Sequence, residues 1–395
     1  MTAKLLFFPV DCGDMTLVEF DSGKKLLVDV NIRAAADDPD DETPDVVEML
    51  KARLPKDEKG RHYVDAFMIS HPDEDHCRGF KKHFYTGDPA NYPEGSKKIL
   101  VRELWSSPIA FRRASTNHTL CEDAQALNAE ARRRVARFRA VGTSVGNGDR
   151  ILILGEDQDG KTDDLGSILI KVEETFSRIN GGYDGTFTMR LLAPLPKEEE
   201  DEETSKNDSS VIMQMALASG GVAAACRFLT GGDAGVEVWE KVWERYETRA
   251  TWLQYDVLLT PHHCSWHSLS HNSWSECGED AEVSPTARKA LSQARSGAHL
   301  IASSKEIIDD DSDPPCIRAK REYVDIADDA GGDFQCVMEE IDAADPQPLE
   351  FHVTGSGTSR VEADPKAKSV GPQVFAPSVS STPREVNKQG GGRYA

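Results

Sequence analysis

The sequence predicts a mixed α/β (α+β) fold, a four-layer αβ/βα sandwich of two sheets with helices outside. Three observations predict it. Short apolar runs bounded by Gly, Asp and Pro alternate with stretches of helical spacing. Their order is a β-meander, an αβ unit, then a β-hairpin, a helix and a strand. Polar clusters bearing His or Asp follow the ends of several apolar runs, where a rigid strand delivers side chains to an exposed loop.

Residues 4–10 and 15–20 read as strands joined by the turn Asp11-Cys12-Gly13-Asp14, and Asp21-Ser22-Gly23 leads into a third strand, 25–30. The acid-rich stretch 35–43 is a loop. Val46, Val47, Leu50 and Leu54 share one helical face, and Pro55 ends that helix. Residues 64–69 (VDAFMI) form a buried strand, with the polar cluster 70–76 at its C-terminal end. Strands are expected at 99–105, 151–154, 167–172 and 187–192, and a long helix at 120–139. The charge block 197–203 (KEEEDEE) cannot bury itself and marks an acidic loop insertion near 197–206. Strands 210–217 and 223–229 form a hairpin through Ser219-Gly220-Gly221. A helix at 235–248, a strand at 257–260, a helix at 286–294 and a strand at 298–303 come next. From about residue 366 Pro, Ser, Lys and Gly dominate, which predicts one domain over 1–365 and a disordered tail over 366–395.

With 395 residues, 38% of them apolar, the chain can bury a sizeable core. No apolar run is long enough to span a membrane, and residues 1–10 lack the pattern of a secretory signal, so a cytoplasmic protein is expected. The eight cysteines form no CxxC pair, which argues against a zinc ribbon or a disulfide framework. Cys77 and Cys264 adjoin candidate metal ligands and are either weak extra ligands or small fillers. The formal charge of −22 disfavours a grip on duplex nucleic acid through its phosphates. The one dense basic stretch in the folded part, Arg132 to Arg139, either steers a phosphate-bearing substrate or pairs with the protein's own carboxylates.

Four potential ligands fall within six residues: His71, Asp73, Asp75 and His76. Imidazole nitrogens and carboxylate oxygens suit zinc, manganese or iron. Thr230-Gly231-Gly232-Asp233 puts a carboxylate after another strand, and Pro261-His262-His263 puts imidazoles after a third. Such a set can hold two divalent metal ions (Zn²⁺ or Mn²⁺) with Asp233 as a bridge, generating a hydroxide nucleophile near neutral pH. His267, His271 and Trp266 are either the lining of a substrate pocket or ordinary surface groups. Asp14 and Asp29 either orient ligands or are plain turn and strand-end carboxylates.

The His71 to His76 hexapeptide resembles the metallo-β-lactamase signature His-x-His-x-Asp-His, with Asp73 in place of the second His. The combination is similar to the hydrolase domain of the ComEC DNA-uptake family. It includes Val10 to Asp14, Leu27-Val28-Asp29, Ser70 to His76, Asn207-Asp208-Ser209-Ser210-Val211, Thr230 to Asp233 and Pro261 to Ser265, and runs from about residue 4 to 305. The chain departs from that family in a shorter opening turn, the extra Gly232, Cys264 in place of Gly, and the lack of a membrane channel. His118 is a candidate for the isolated histidine of the family, although its surroundings also read as a helix start.

The resemblance implies His71 and Asp73 on one metal, Asp75 and His76 on the other, and Asp233 between them. His262 is the first choice to complete the second metal, leaving His263 to orient substrate or transfer a proton beside the catalytic Asp75 and His267. It implies a phosphodiesterase or nuclease acting on a nucleic acid or nucleotide, single-stranded or small rather than duplex. It also leaves room for a role in defence against foreign DNA beside a protein partner. Alternatives are hydrolysis of an ester, lactone or thioester, and a metal-stabilised binding subunit without turnover.

Overall fold

The computed structural model describes residues 2–38, 40–108, 120–156, 160, 162–195 and 207–361. These residues fall within one compact unit, Met1–Val361. The expected acidic insertion, His118 and the expected C-terminal tail lie outside the described residues.

Two large sheets carry the fold. The first runs, edge to edge, Gly357–Arg360, Leu349–Thr354, Ala3–Phe7, Thr16–Glu19, Lys25–Val28, Tyr63–Ile69, Ile99–Ser106, Arg150–Leu154 and Leu169–Ile170. The meander at the start is antiparallel. From Lys25–Val28 onward the neighbours are parallel, because helices Val46–Arg53 and Glu122–Val141 serve as crossovers. The second sheet repeats this logic. Thr175–Phe176, Phe187–Ala193, Ile212–Ser219 and Val222–Thr230 are antiparallel, and Tyr255–Leu259, Ala294–Ala302 and Asp333–Cys336 continue it in parallel.

The sheets face each other through a common apolar core, in which the ring of Phe7 meets that of Phe228 edge to face at 5.9 Å and Phe20 stacks on Phe187 at 4.5 Å. Each such ring contributes about 1.5–3 kcal/mol by leaving water. A second apolar layer lies between the second sheet and helices Val236–Tyr246, Pro285–Leu291 and Ile317–Asp329. The Glu122–Val141 helix buries Leu127, Ala131, Val135 and Phe138 in the core that includes the first sheet. The layers are therefore helix, sheet, sheet, helix.

Several expectations are corrected in detail. The strand expected over 25–30 stops at Val28, because Asp29 takes a left-handed φ of 53° and turns the chain. The helix expected over 286–294 ends at Leu291, and the following strand begins already at Ala294. Sequence patterning did not signal helix Ile317–Asp329 or the closing strands Asp333–Cys336, Leu349–Thr354 and Gly357–Arg360. No helix among the described residues is long and apolar enough to cross a membrane.

Candidate metal centre

The candidate site lies where strands of both sheets end along one edge of the sandwich. Lys25–Val28 delivers Asp29, Tyr63–Ile69 delivers Ser70 and His71, Val222–Thr230 delivers Asp233, and Tyr255–Leu259 delivers His262 and His263. Asp73 precedes a one-turn helix, Glu74–Cys77, whose curl brings Asp75 and His76 to the same edge. The bend before Asp233 requires glycine at 232. Its φ is +49°, and a Cβ there would stand about 3.0 Å from Ser70 and 3.1 Å from Ser210.

Asp233 is the hub. Its Oδ1 lies 2.8 Å from Nε2 of His76 and 3.5 Å from Nε2 of His263, whose Nε2 is 3.4 Å from Asp75 Oδ2. Its Oδ2 lies 3.6 Å from Nε2 of His71 and 3.6 Å from Nε2 of His262, and His71 Nε2 is 3.7 Å from Asp73 Oδ2. The carboxylate thus divides the groups into two sets: His71, Asp73 and His262 on one oxygen, and Asp75, His76 and His263 on the other. Asp14, His76, Asp233 and His263 form a fully buried group whose ligand atoms lie within 4.8 Å of one another.

The imidazoles are oriented from behind. Nδ1 of His76 donates to Asp29 Oδ2 at 2.9 Å, and Ser70 donates to Asp29 through both its backbone N–H and its hydroxyl. Since the Ser70 hydroxyl spends its proton on Asp29, it accepts from Nδ1 of His71 at 3.1 Å. This network places a proton on Nδ1 of both rings and turns their Nε2 atoms toward Asp233. Asp14 Oδ1 stands 3.3 Å from Nδ1 of His263 in a similar position. Ser210 accepts the backbone N–H of Asp233 at 3.1 Å, which ties the stretch Asn207 to Val211 to the site.

The electrostatics ask for a cation. Burial pushes the His71 imidazole down to about 4, with the charge on His76 adding to the effect. Burial opposes charge on His76 as well, but Asp233 and Asp29 on either side lift it well above the ordinary histidine value. Burial works against the Asp75 carboxylate too, yet His263 and His76 hold it below the carboxylate range. Nε2 of His71 and of His263 is buried without a hydrogen-bond partner among the described residues, and Nε2 of His76 has only its 2.8 Å contact with Asp233 Oδ1. An orphaned buried polar atom costs about 1–3 kcal/mol. These nitrogens, converging on one carboxylate, fit a divalent cation, which imidazole and carboxylate ligands suit.

Three expectations change. His262, the first choice for the Asp75 and His76 set, lies on the His71 and Asp73 side, and His263 takes the place beside Asp75 and His76. The cause is local: His262, His263 and Cys264 all have φ between 53° and 67°, and this left-handed run sends two adjacent rings to opposite oxygens of Asp233. His267 is half exposed with Nε2 3.7 Å from Asp313, and His271 pairs with Glu240 at 3.1 Å. Trp266 is fully buried in the outer core. None of the three lines the open cavity of about 430 Å³ in front of the site, which is walled by Cys12, Pro72, Asp73, Glu74, Asp75, Arg78 and Cys121. Arg78 is a further group at the site that the sequence did not signal. No spacing marks it, since the backbone pairing of Asn31 with Arg78 is what sets it at the cavity.

The basic run resolves in favour of self-pairing. Arg133 and Arg134 both bond Glu130, Arg133 and Arg137 face Asp149, and Arg139 faces Asp164.

Fold and site together define a mixed α/β sandwich with a buried His/Asp cluster at its strand ends. No protein-family model and no curated protein matches the sequence. Among solved structures, the chain is similar to a protein assigned as a metal-dependent hydrolase from Parabacteroides distasonis, at 14% identity and a TM-score of 0.33, over 85% of this chain and 93% of that one. It is also similar to a diphosphatase of the PhnP family, at 13% identity and a TM-score of 0.34, over 90% of this chain and 99% of that one. Both scores are low, and the fold is defined by the sheet order and layering of the chain itself.

Proposed function

We propose that the protein is a metal-dependent hydrolase of the metallo-β-lactamase type that cleaves phosphodiester bonds. The observation that carries this reading is the division of the site by Asp233, one oxygen facing His71 and His262 and the other facing His76 and His263. In this reading His71, Asp73 and His262 would hold one divalent cation and Asp75, His76 and His263 a second, with Asp233 available to both. Bound cations would supply Lewis-acid polarisation of the scissile group and activation of water near neutral pH, and the His/Asp donor set suits Zn²⁺ or Mn²⁺.

The chain's own residues do the positioning. Asp29 and Ser70 fix the tautomers of His76 and His71, so that the ligand nitrogens are preformed. Arg78 is the one cation among the described residues walling the cavity, and its guanidinium is held by Glu74 at 3.2 Å beside Asp73 and Asp75. A guanidinium there suits the planar, bidentate recognition of a phosphate. The net charge of −22 and the consumption of the basic run by the protein's own carboxylates favour a small nucleotide or a single strand over long duplex.

The test is metal analysis of the purified protein together with turnover of chromogenic phosphodiester and acyl-ester substrates under Zn²⁺, Mn²⁺ and Mg²⁺. Two cations per chain and phosphodiester cleavage are expected. Turnover of acyl esters alone would overturn the substrate class, and one cation or none would overturn the bridge. Arg78→Ala should raise KM for the phosphodiester by about tenfold with less change in kcat, as loss of a charge-assisted contact implies.

A further inference from the structure

Cys77 and Cys121 come from distant parts of the chain, yet their sulfurs lie 3.8 Å apart. Cys77 is fully buried, one residue beyond His76, while Cys121 is partly exposed and walls the open cavity. The contact is held from outside the pair. Asp123, in the first turn of the Glu122–Val141 helix, accepts the backbone N–H of Gly79 at 3.0 Å and of Lys81 at 2.7 Å, clamping that helix start to the segment after Cys77. Cys121 caps the same helix, its sulfur accepting from the Ala124 N–H at 3.4 Å.

We infer that Cys77 and Cys121 form a peroxide-sensitive pair, in which a hydroperoxide oxidises Cys121 to a sulfenic acid and Cys77 closes on it as a disulfide. An accessible thiol with a buried second thiol in contact is the arrangement in which a sulfenic acid is captured rather than over-oxidised. The neighbouring Cys77 thiol, against a lesser effect of burial, brings Cys121 down to about 6, and the helix-start N–H groups add to this.

The Cys121 thiolate attacks the outer peroxide oxygen, the O–O bond breaks, and hydroxide or alkoxide leaves. The Cys77 sulfur then attacks the Cys121 sulfur, the S–O bond breaks, and the departing hydroxide takes the Cys77 proton as water. One hydroperoxide is reduced and two thiols are oxidised. Because Asp75 and His76 share the one-turn helix with Cys77, closing the sulfurs to bonding distance draws on the segment that carries the metal-site groups.

The experiment treats the full chain with hydrogen peroxide at low molar excess and maps its peptides by mass spectrometry without reduction. A linked Cys77–Cys121 peptide pair is expected, reversible by dithiothreitol, forming about tenfold or more faster than oxidation of the exposed Cys277. In Cys77→Ser, a dimedone adduct should appear on Cys121; in Cys121→Ser, neither link nor adduct should form at Cys77. Thermal melts of both variants check that they are folded. Absence of the linked pair in the folded wild type, or oxidation of Cys277 as fast as Cys121, would overturn the inference. The mass readout does not depend on hydrolysis, so it stands apart from the proposed reaction.

Discussion

Asp29 accepts the Nδ1 proton of His76 at 2.9 Å and so decides which nitrogen of that ring faces Asp233. Asp29 is itself fully buried, and burial raises its carboxyl while His76 pulls it down. It is held by the Ser70 backbone and hydroxyl. Asp29→Ala should weaken cation binding about 10–100-fold, as loss of an orienting carboxylate does. Titration of the metal-free protein with Zn²⁺ or Mn²⁺ reads this directly. Unchanged affinity in a folded variant would remove Asp29 from the site.

The two sets on Asp233 make a prediction about how substitutions combine. His262→Ala and Asp73→Ala should each cost the same one cation, so the double variant loses no more than either alone. His262→Ala with His263→Ala should lose both, because those rings face different oxygens. Metal content by elemental analysis decides. If His262→Ala and His263→Ala together still left one cation, the assignment of the rings to separate sets would fail.

Asp233→Asn tests the bridge itself. The amide keeps the size of the side chain but removes the charge that both sets share, so both cations should be lost in one step. Retention of two cations would show that each set is complete without it.

Away from the site, Glu130 neutralises Arg134, which is buried at 1% exposure and also donates to the carbonyls of Val101 and Arg150. Glu130→Gln should cost about 3–5 kcal/mol by leaving a buried charge unpaired. Burial opposes its ionisation, but Arg133 and Arg134 hold the Glu130 carboxyl below its ordinary value of 4.5. Its contribution is therefore complete above pH 4.5 and fades as pH falls below that value. Urea unfolding across pH should show the gap between wild type and variant shrinking only on the acid side. A gap that widened there would contradict the ion pairing.

Much of the site was legible because its parts are local. His71 to His76, Thr230 to Asp233 and Pro261-His262-His263 each sit at the end of an apolar run, and a strand end fixes side chains well enough to be read from sequence. The division of labour between His262 and His263 was not legible, because it turns on three successive left-handed residues, none of them glycine. Cys264 stands where the resembled family has Gly and still adopts a φ of 67°. Arg78 and the Cys77–Cys121 contact were invisible for another reason: each depends on segments brought together from 44 or more residues apart, or on register between strands. Residues 349–354 (LEFHVT) do alternate apolar and polar, a strand signal that the sequence reading passed over, and the strand they form takes its place in the sheet from the partner it pairs with.

That partner is the chain's own beginning: Ala3 pairs with Val353, and Phe7 with Leu349. The opening strand therefore has one side bare until some 350 residues later its neighbour is made. At a synthesis rate of about 5–20 residues per second, that wait lasts on the order of 20–70 s. Throughout it, an apolar strand with unpaired N–H and C=O groups is open to any passing edge. For the nascent chain, the time of greatest exposure to mispairing lasts until residues 349–353 have been made, and a pause in translation before them prolongs it.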